Sequence, residues 1–174
     1  MSYLVLAYPD LATSDFELVQ HHRREYDSLY VDVVGPHFSF VFAVRNMDQD
    51  AFIEEVTNKS RGQKRIPLVI RCANISKDGL EDMYHVFLVP DEGQSDIIKL
   101  HDHLYRGSLK SNLRLDLNYI PHMAIGSSKD PWEAKRIVEA WNDRHVTIQS
   151  TISKLSIVKY AKNVVTLLKE VELC

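Results

Sequence analysis

Cysteine is scarce in this 174-residue chain. It has two, Cys72 inside an apolar stretch and Cys174 at the last position, which make neither a disulfide framework nor a metal-ligand set. Long apolar runs are missing as well. No stretch approaches the ~18 residues that would cross a bilayer, and the opening MSYLVLAYPD has neither a basic leader nor a small-residue cleavage site. Membrane insertion and secretion are not expected, and a reducing cytoplasmic location is. An excess of positive charge is also absent: the formal net charge is -3, so the chain has no global pull on nucleic acid and any such contact must be local. No linker or low-complexity segment divides the chain. What is present is a hydrophobic content of 45%, enough to bury a core and expected to form one domain over residues 1–174 with two lobes.

Hydrophobic spacing predicts strands and helices in alternation. YLVLAY, stopped by Pro9, reads as a buried strand; Thr13, Ser14 and Asp15 are N-cap candidates for a helix over about residues 14–27. HFSFVFAV is β-branched and aromatic, and the helical spacing of Phe52, Ile53 and Val56 follows it before Gly62. RIPLVIRCANI and DMYHVFLVPD form a candidate hairpin about the Asp78-Gly79 signal in SKDGLE. Ile97, Leu100 and Leu104 mark a third helix, YIPHMAIG a further strand, and Asp130 with Pro131 the start of a fourth helix. The closing segment from Thr151 reads as two β-rich runs about a turn at residues 161–163. The order β α β α β β α β α β β is that of an α+β domain.

Two strands carry the same opening. Gly-Pro-His-Phe-Ser begins one at residue 35 and Ile-Pro-His-Met-Ala the other at residue 120, with the histidines about half a chain apart. Residues two apart in a strand share a face, so His37, Ser39 and Val41 are expected on one side and Phe38, Phe40 and Phe42 in the core. Likewise His122, Ala124 and Gly126 face one way, Met123 and Ile125 the other. Pro36 and Pro121 remove a ladder donor, which suits strand starts at the rim of a sheet.

Two rim histidines on matching strands can converge on one groove. Imidazole titrates near neutral pH, so one His can take a proton from water while the other donates to a departing alkoxide. A hydroxyl at Ser39 can donate to a non-bridging phosphate oxygen and hold the phosphorus in line. Such a pair opens a phosphodiester without a metal or other cofactor.

These residues resemble the paired His-x-Ser/Thr motifs of the 2H phosphoesterase superfamily, which includes the 2′-5′ RNA ligases and RNA 2′,3′-cyclic phosphodiesterases. The resemblance covers essentially the whole chain, including RREYD before the first motif. It implies a bilobal fold of two antiparallel sheets with flanking helices and a central cleft, His37 and His122 as the catalytic pair, Ser39 as a phosphate ligand, and hydrolysis of a 2′,3′-cyclic phosphate on an RNA end or small nucleotide. The chain departs from the pattern at Ala124, where a Ser or Thr is expected. The missing hydrogen bond to a charged group is worth roughly 1.5 to 3 kcal/mol, about 10- to 100-fold in rate. A nucleotide- or RNA-binding module with weakened catalysis is the alternative, and a partner-binding protein with solvated histidines a third reading. Which His is base and which acid is left open.

Other residues are candidates of lower rank. Arg71, a charge within PLVIRCA, either reaches water or serves an anion. Tyr119 and Tyr160 are candidates for stacking on a base, with packing as the alternative. The basic run NKSRGQKR reads as a solvated loop. His21, His22, His85 and His145 are expected at the surface, as are His101 and His103, which do not face each other on a helix and so do not suggest a metal site. A monomer is the default expectation.

Overall fold

The computed structural model describes residues 1–79 and 81–174. Its elements are β1 (Ser2–Ala7), α1 (Thr13–Tyr26), β2 (Phe38–Val44), α2 (Gln49–Ser60), β3 (Ile66–Lys77), β4 (Tyr84–Glu92), α3 (Gln94–Leu104), a 3-10 turn (Gly107–Asn112), β5 (Met123–Ser128), α4 (Pro131–Asn142), β6 (Ile148–Ile152), β7 (Lys154–Ala161) and β8 (Val164–Glu172). Helix starts follow local chemistry in two cases. Asp48 accepts from the N–H groups of Asp50 and Ala51 at the head of α2, and Asp130 accepts from Trp132 at the head of α4, where Pro131 occupies the first helical position. The expected caps of α1 do not form: Ala12 precedes the helix, with no side-chain bond.

Eight strands make two four-stranded antiparallel sheets, ordered β2-β1-β7-β8 and β5-β4-β3-β6. The fold is therefore α+β, with flanking helices. The expected hairpin of β3 and β4 forms; of its SKDGLE connection, Leu80 lies outside the described residues. The closing segment differs from expectation. It holds three strands, because the chain leaves one sheet at Ser153 and enters the other: β6 pairs with β3, β7 with β1. Lys162 and Asn163, both at positive φ, then form the two-residue turn into β8 that suits the twist of a hairpin.

Matching positions relate the two sheets. β2 and β5 are both edge strands, each beside the strand that precedes it in the chain, and each followed by a helix. The helix joining each such pair crosses to the opposite sheet: α1, between β1 and β2, packs on β5, and α3, between β4 and β5, packs on β2. Phe38, Phe40, Phe52 and Val56 are fully buried beneath the first sheet, and Met123, Ile125, Ile137 and Trp141 beneath the second. Each such side chain contributes ~1.5–3 kcal/mol when fully buried.

Bulges interrupt both motif strands, and the expected alternation inverts beyond them. Val5 pairs with Val41 but Tyr3 with Val44, and the register also slips between Val5 and Leu6. Val41 is consequently fully buried while Phe42 turns to the groove, the reverse of the expected faces. In β5 the slip lies between Val86 and Phe87, so Gly126 pairs with the core residue Val86. A Cβ on Gly126 would meet Tyr26 Cβ at 3.0 Å and Ile137 Cγ2 at 3.4 Å, so a side chain there would point to the helices, while the glycine itself lines the groove as expected.

Two histidines expected at the surface are buried. His22 is 1% and His101 2% exposed. The helix that carries each packs on a strand of the opposite sheet, which a reading of the helix alone does not show. No described helix is long and apolar enough to cross a membrane.

Candidate active site

The two sheets enclose a cleft of about 640 Å³, into which both motifs project: His37, Ser39, His122 and Ala124 line it. Each histidine stands just ahead of its edge strand, and each is fixed the same way. His37 Nδ1 lies 2.8 Å from the Gly35 carbonyl and His122 Nδ1 2.6 Å from the Ile120 carbonyl. A carbonyl can only accept, so Nδ1 carries the proton in both rings and Nε2 is left as a free acceptor when the ring is neutral. The intervening proline restricts the backbone whose carbonyl receives the bond. Two copies of one local device thus present two imidazoles in one tautomer.

Their surroundings favour the neutral form. The rings of Phe87 and His122 stack with centroids 3.6 Å apart, and desolvation by the cleft walls lowers the His122 pKa to about 4, with the nearby His37 and His85 opposing its charge further. Burial also lowers His37, against the pull of its bond to Gly35. Both rings are therefore bases at neutral pH. An anionic ligand between them would restore affinity for one proton.

A set of hydrogen bonds from the second half of the chain fixes strand β2. The Tyr119 hydroxyl donates to the Ser39 carbonyl at 3.0 Å, His101 Nδ1 to the Phe40 carbonyl at 2.9 Å, and the Phe42 N–H to the Tyr105 hydroxyl at 2.9 Å. His101 and Tyr119 stack with centroids 3.5 Å apart. These bonds occupy polar groups of an edge strand that would otherwise be open to another chain. They also fix the backbone that carries the Ser39 hydroxyl.

The approach to His37 is held by a buried ion pair. Arg23 and Asp27 are 2% and 3% exposed, and Arg23 Nη2 lies 3.0 Å from Asp27 Oδ2. The pair costs desolvation unless its other polar atoms are satisfied. Here Arg23 also donates to Gln20 and to the Tyr30 carbonyl, while Asp27 accepts from the Tyr30 N–H. The turn leading to Gly35-Pro36-His37 is thereby tied to α1.

Of the remaining candidates, Tyr160 lines the cleft, its hydroxyl donating to Asn163 Oδ1 at 2.7 Å. Tyr119 lies behind β2, where burial raises its pKa. Arg71 stands outside the cleft lining, in exposed pairs with Asp91 at 2.7 Å and Glu92 at 2.8 Å. Sequence reasoning put His85 at the surface and passed over Phe87; both line the cleft, with Asp78 at 3.2 Å from His85 Nε2. The signal was present in HVFL, where His85 and Phe87 alternate with the buried Val86 and Leu88. No group of three His, Cys, Asp or Glu among the described residues has a metal-binding arrangement.

Comparison with known proteins bears on the fold and the family. The chain resembles the TT0787 protein of Thermus thermophilus at 11% identity and a TM-score of 0.64, covering 99% of this chain and 98% of that one. It resembles E. coli LigT complexed with 3′-AMP at 10% identity and a TM-score of 0.58, covering 99% and 97%. Kluyveromyces marxianus Usb1 with uridine monophosphate matches at 8% identity and a TM-score of 0.56, covering 98% of each chain. No curated protein matches significantly. The family model described as the 2′-5′ RNA ligase superfamily matches residues 9–164. With two His motifs on matching edge strands and that match along nearly its whole length, the chain belongs to the 2′-5′ RNA ligase superfamily.

Proposed function

We propose that this chain hydrolyses a 2′,3′-cyclic phosphodiester of a small nucleotide or RNA end by two-histidine acid–base catalysis. One observation carries the reading: His37 and His122 are each tied through Nδ1 to the carbonyl two residues back, across a proline, and share one cleft. In the reaction the neutral Nε2 of one ring takes a proton from water as the water oxygen bonds to phosphorus. The bond from phosphorus to one ribose oxygen breaks, and the protonated Nε2 of the other ring supplies its proton. The product is a phosphomonoester beside a free hydroxyl. Ser39 Oγ donates to a non-bridging oxygen, with electrostatic stabilisation strongest where charge builds up. Acid and base are both side chains, so the step needs no metal. Ligation would use the same groups, with a 5′-hydroxyl in place of water as the nucleophile on phosphorus and the same ribose oxygen leaving.

Hydrolysis of 2′,3′-cyclic AMP in EDTA tests this. Turnover by the wild type, and its loss in folded His37→Ala and in folded His122→Ala, is the expected result. Equal turnover in either variant would sink the reading. Ala124 supports a second reading, a nucleotide-binding module with weakened chemistry, for which the same assay would show no product while a separate titration shows 2′,3′-cyclic AMP binding.

A further inference from the structure

Within the two-histidine reading, the charge of the cleft bears on the size of the substrate. The described charged residues lining it are Arg23, Arg45 and Lys77 against Asp27, Asp78 and Asp116. Histidines aside, the described lining carries three charges of each sign and no net charge. Its charges are also largely satisfied internally. Arg23 is spent on Asp27, Asp116 receives both arms of Arg114 at 2.6 and 2.7 Å, and His85 faces Asp78 at 3.2 Å. Lys77 lies 3.9 Å from Asp82. Among the described residues Arg45 alone of these cations has no ion pair.

Apart from the histidines, the rest of the described lining is neutral, including Leu29, Tyr30, Val33 and Val34 ahead of His37. The basic run NKSRGQKR is elsewhere: Lys59 pairs with Glu55 at 2.6 Å and Arg65 donates to the Leu173 carbonyl, and none of its residues lines the cleft. Grooves that track a nucleic-acid backbone are positively charged, and each phosphate they neutralise adds to the salt dependence of binding.

We infer that the cleft takes a compact cyclic phosphodiester bearing a single negative charge, of mononucleotide size, rather than the end of an RNA chain. The volume of about 640 Å³ lies within the range of small-molecule sites. One charge is what a neutral cleft can accept, by protonating one histidine and engaging Arg45. Among the described lining residues no second cation without an ion pair is left for a further phosphate.

The test is binding to the His122→Ala variant, which is not expected to turn substrate over, so the readout does not depend on catalysis. 2′,3′-cyclic AMP and a hexanucleotide RNA ending in a 2′,3′-cyclic phosphate are titrated between about 50 and about 300 mM salt. The expected result is affinities within about threefold of each other, and a salt dependence of both corresponding to about one phosphate contact. A hexanucleotide that binds tenfold or more tightly, with the salt slope of about three or more contacts, would overturn the inference. So would failure of the mononucleotide to bind. Loss of wild-type turnover in the hydrolysis assay would count against the two-histidine reading instead, and leaves this comparison intact.

Discussion

Ala124→Ser restores the hydroxyl that the superfamily motif carries at this place, and its effect can be worked out beforehand. Ala124 is half-buried on the cleft side of β5, two residues beyond His122 and opposite Phe87 in register. The cleft there is open, so one added oxygen meets no packed core, unlike a side chain at the neighbouring Met123 or Ile125, both fully buried. A hydrogen bond to a charged group is worth roughly 1.5–3 kcal/mol. If it forms with the developing charge on phosphorus, kcat for 2′,3′-cyclic AMP rises about 10- to 100-fold, with little change in KM because the gain is made in the transition state. Ser39→Ala should lose a similar factor on the other side of the phosphate. The assay is steady-state hydrolysis by folded protein, with both variants and the double swap. An unchanged or lower kcat in Ala124→Ser would refute the reasoning, since another donor would already occupy that part of the phosphate.

Three further outcomes are expected. His37 and His122 both have lowered pKa values, that of His122 about 4, and on the proposed two-histidine reading the productive free protein holds one proton between them. The pH profile of kcat/KM should therefore have its basic limb below the ordinary histidine value of ~6.5, falling tenfold per unit above it; a plateau extending above pH 7 would contradict this. His22 is buried, its pKa lowered to about 4 chiefly by desolvation, and neither ring nitrogen has a hydrogen-bond partner among the described residues. Its neutral form is the folded form, so stability is present above pH 6.5 and falls as pH drops toward 4, by on the order of 3 kcal/mol. Urea unfolding of His22→Phe, whose ring keeps the contacts with Tyr26 and Trp141, should show a flatter acid limb, and an unchanged slope would refute that cause. Finally, His101→Leu removes the donor to the Phe40 carbonyl and should lower kcat about tenfold with KM little changed, whereas His101→Asn retains a donor and most of the rate; equal losses in both would make the role one of packing only.

How much was legible depended on whether the cause lay within a few residues. The strand and helix runs, the Asp130-Pro131 start of α4 and the start of both motif strands just after a Pro-His pair follow from local spacing and from proline chemistry. The inversion at Val41 and Phe42 does not, because a bulge is set by the partner strand: the extra residue appears only when β2 is laid against β1. The split of the closing segment at Ser153 has the same origin, since both halves are β-formers and only their partners, β3 and β1, differ. His22 and His101 looked solvated on their own helices. Each lies beneath a sheet to which its helix is not adjacent in the chain, and no periodicity within the helix reports that. His85 was legible in period-2 spacing, yet its place in the cleft depended on knowing that β4 lies beside the motif strand β5.

The order β2-β1-β7-β8 has a consequence for how the protein comes into being. One sheet joins the start of the chain to its end, so β1, which carries the motif strand β2 on one side, has no second flank until β7 is available. Pairings of such long sequence separation are entropically slow to close and form late. A nascent or partly opened chain can hold β3, β4 and β5 together and still lack the partner histidine. On the proposed two-histidine reading, chemical competence comes on only with completion of the fold, and a truncated or frayed molecule is expected to be silent toward phosphodiesters.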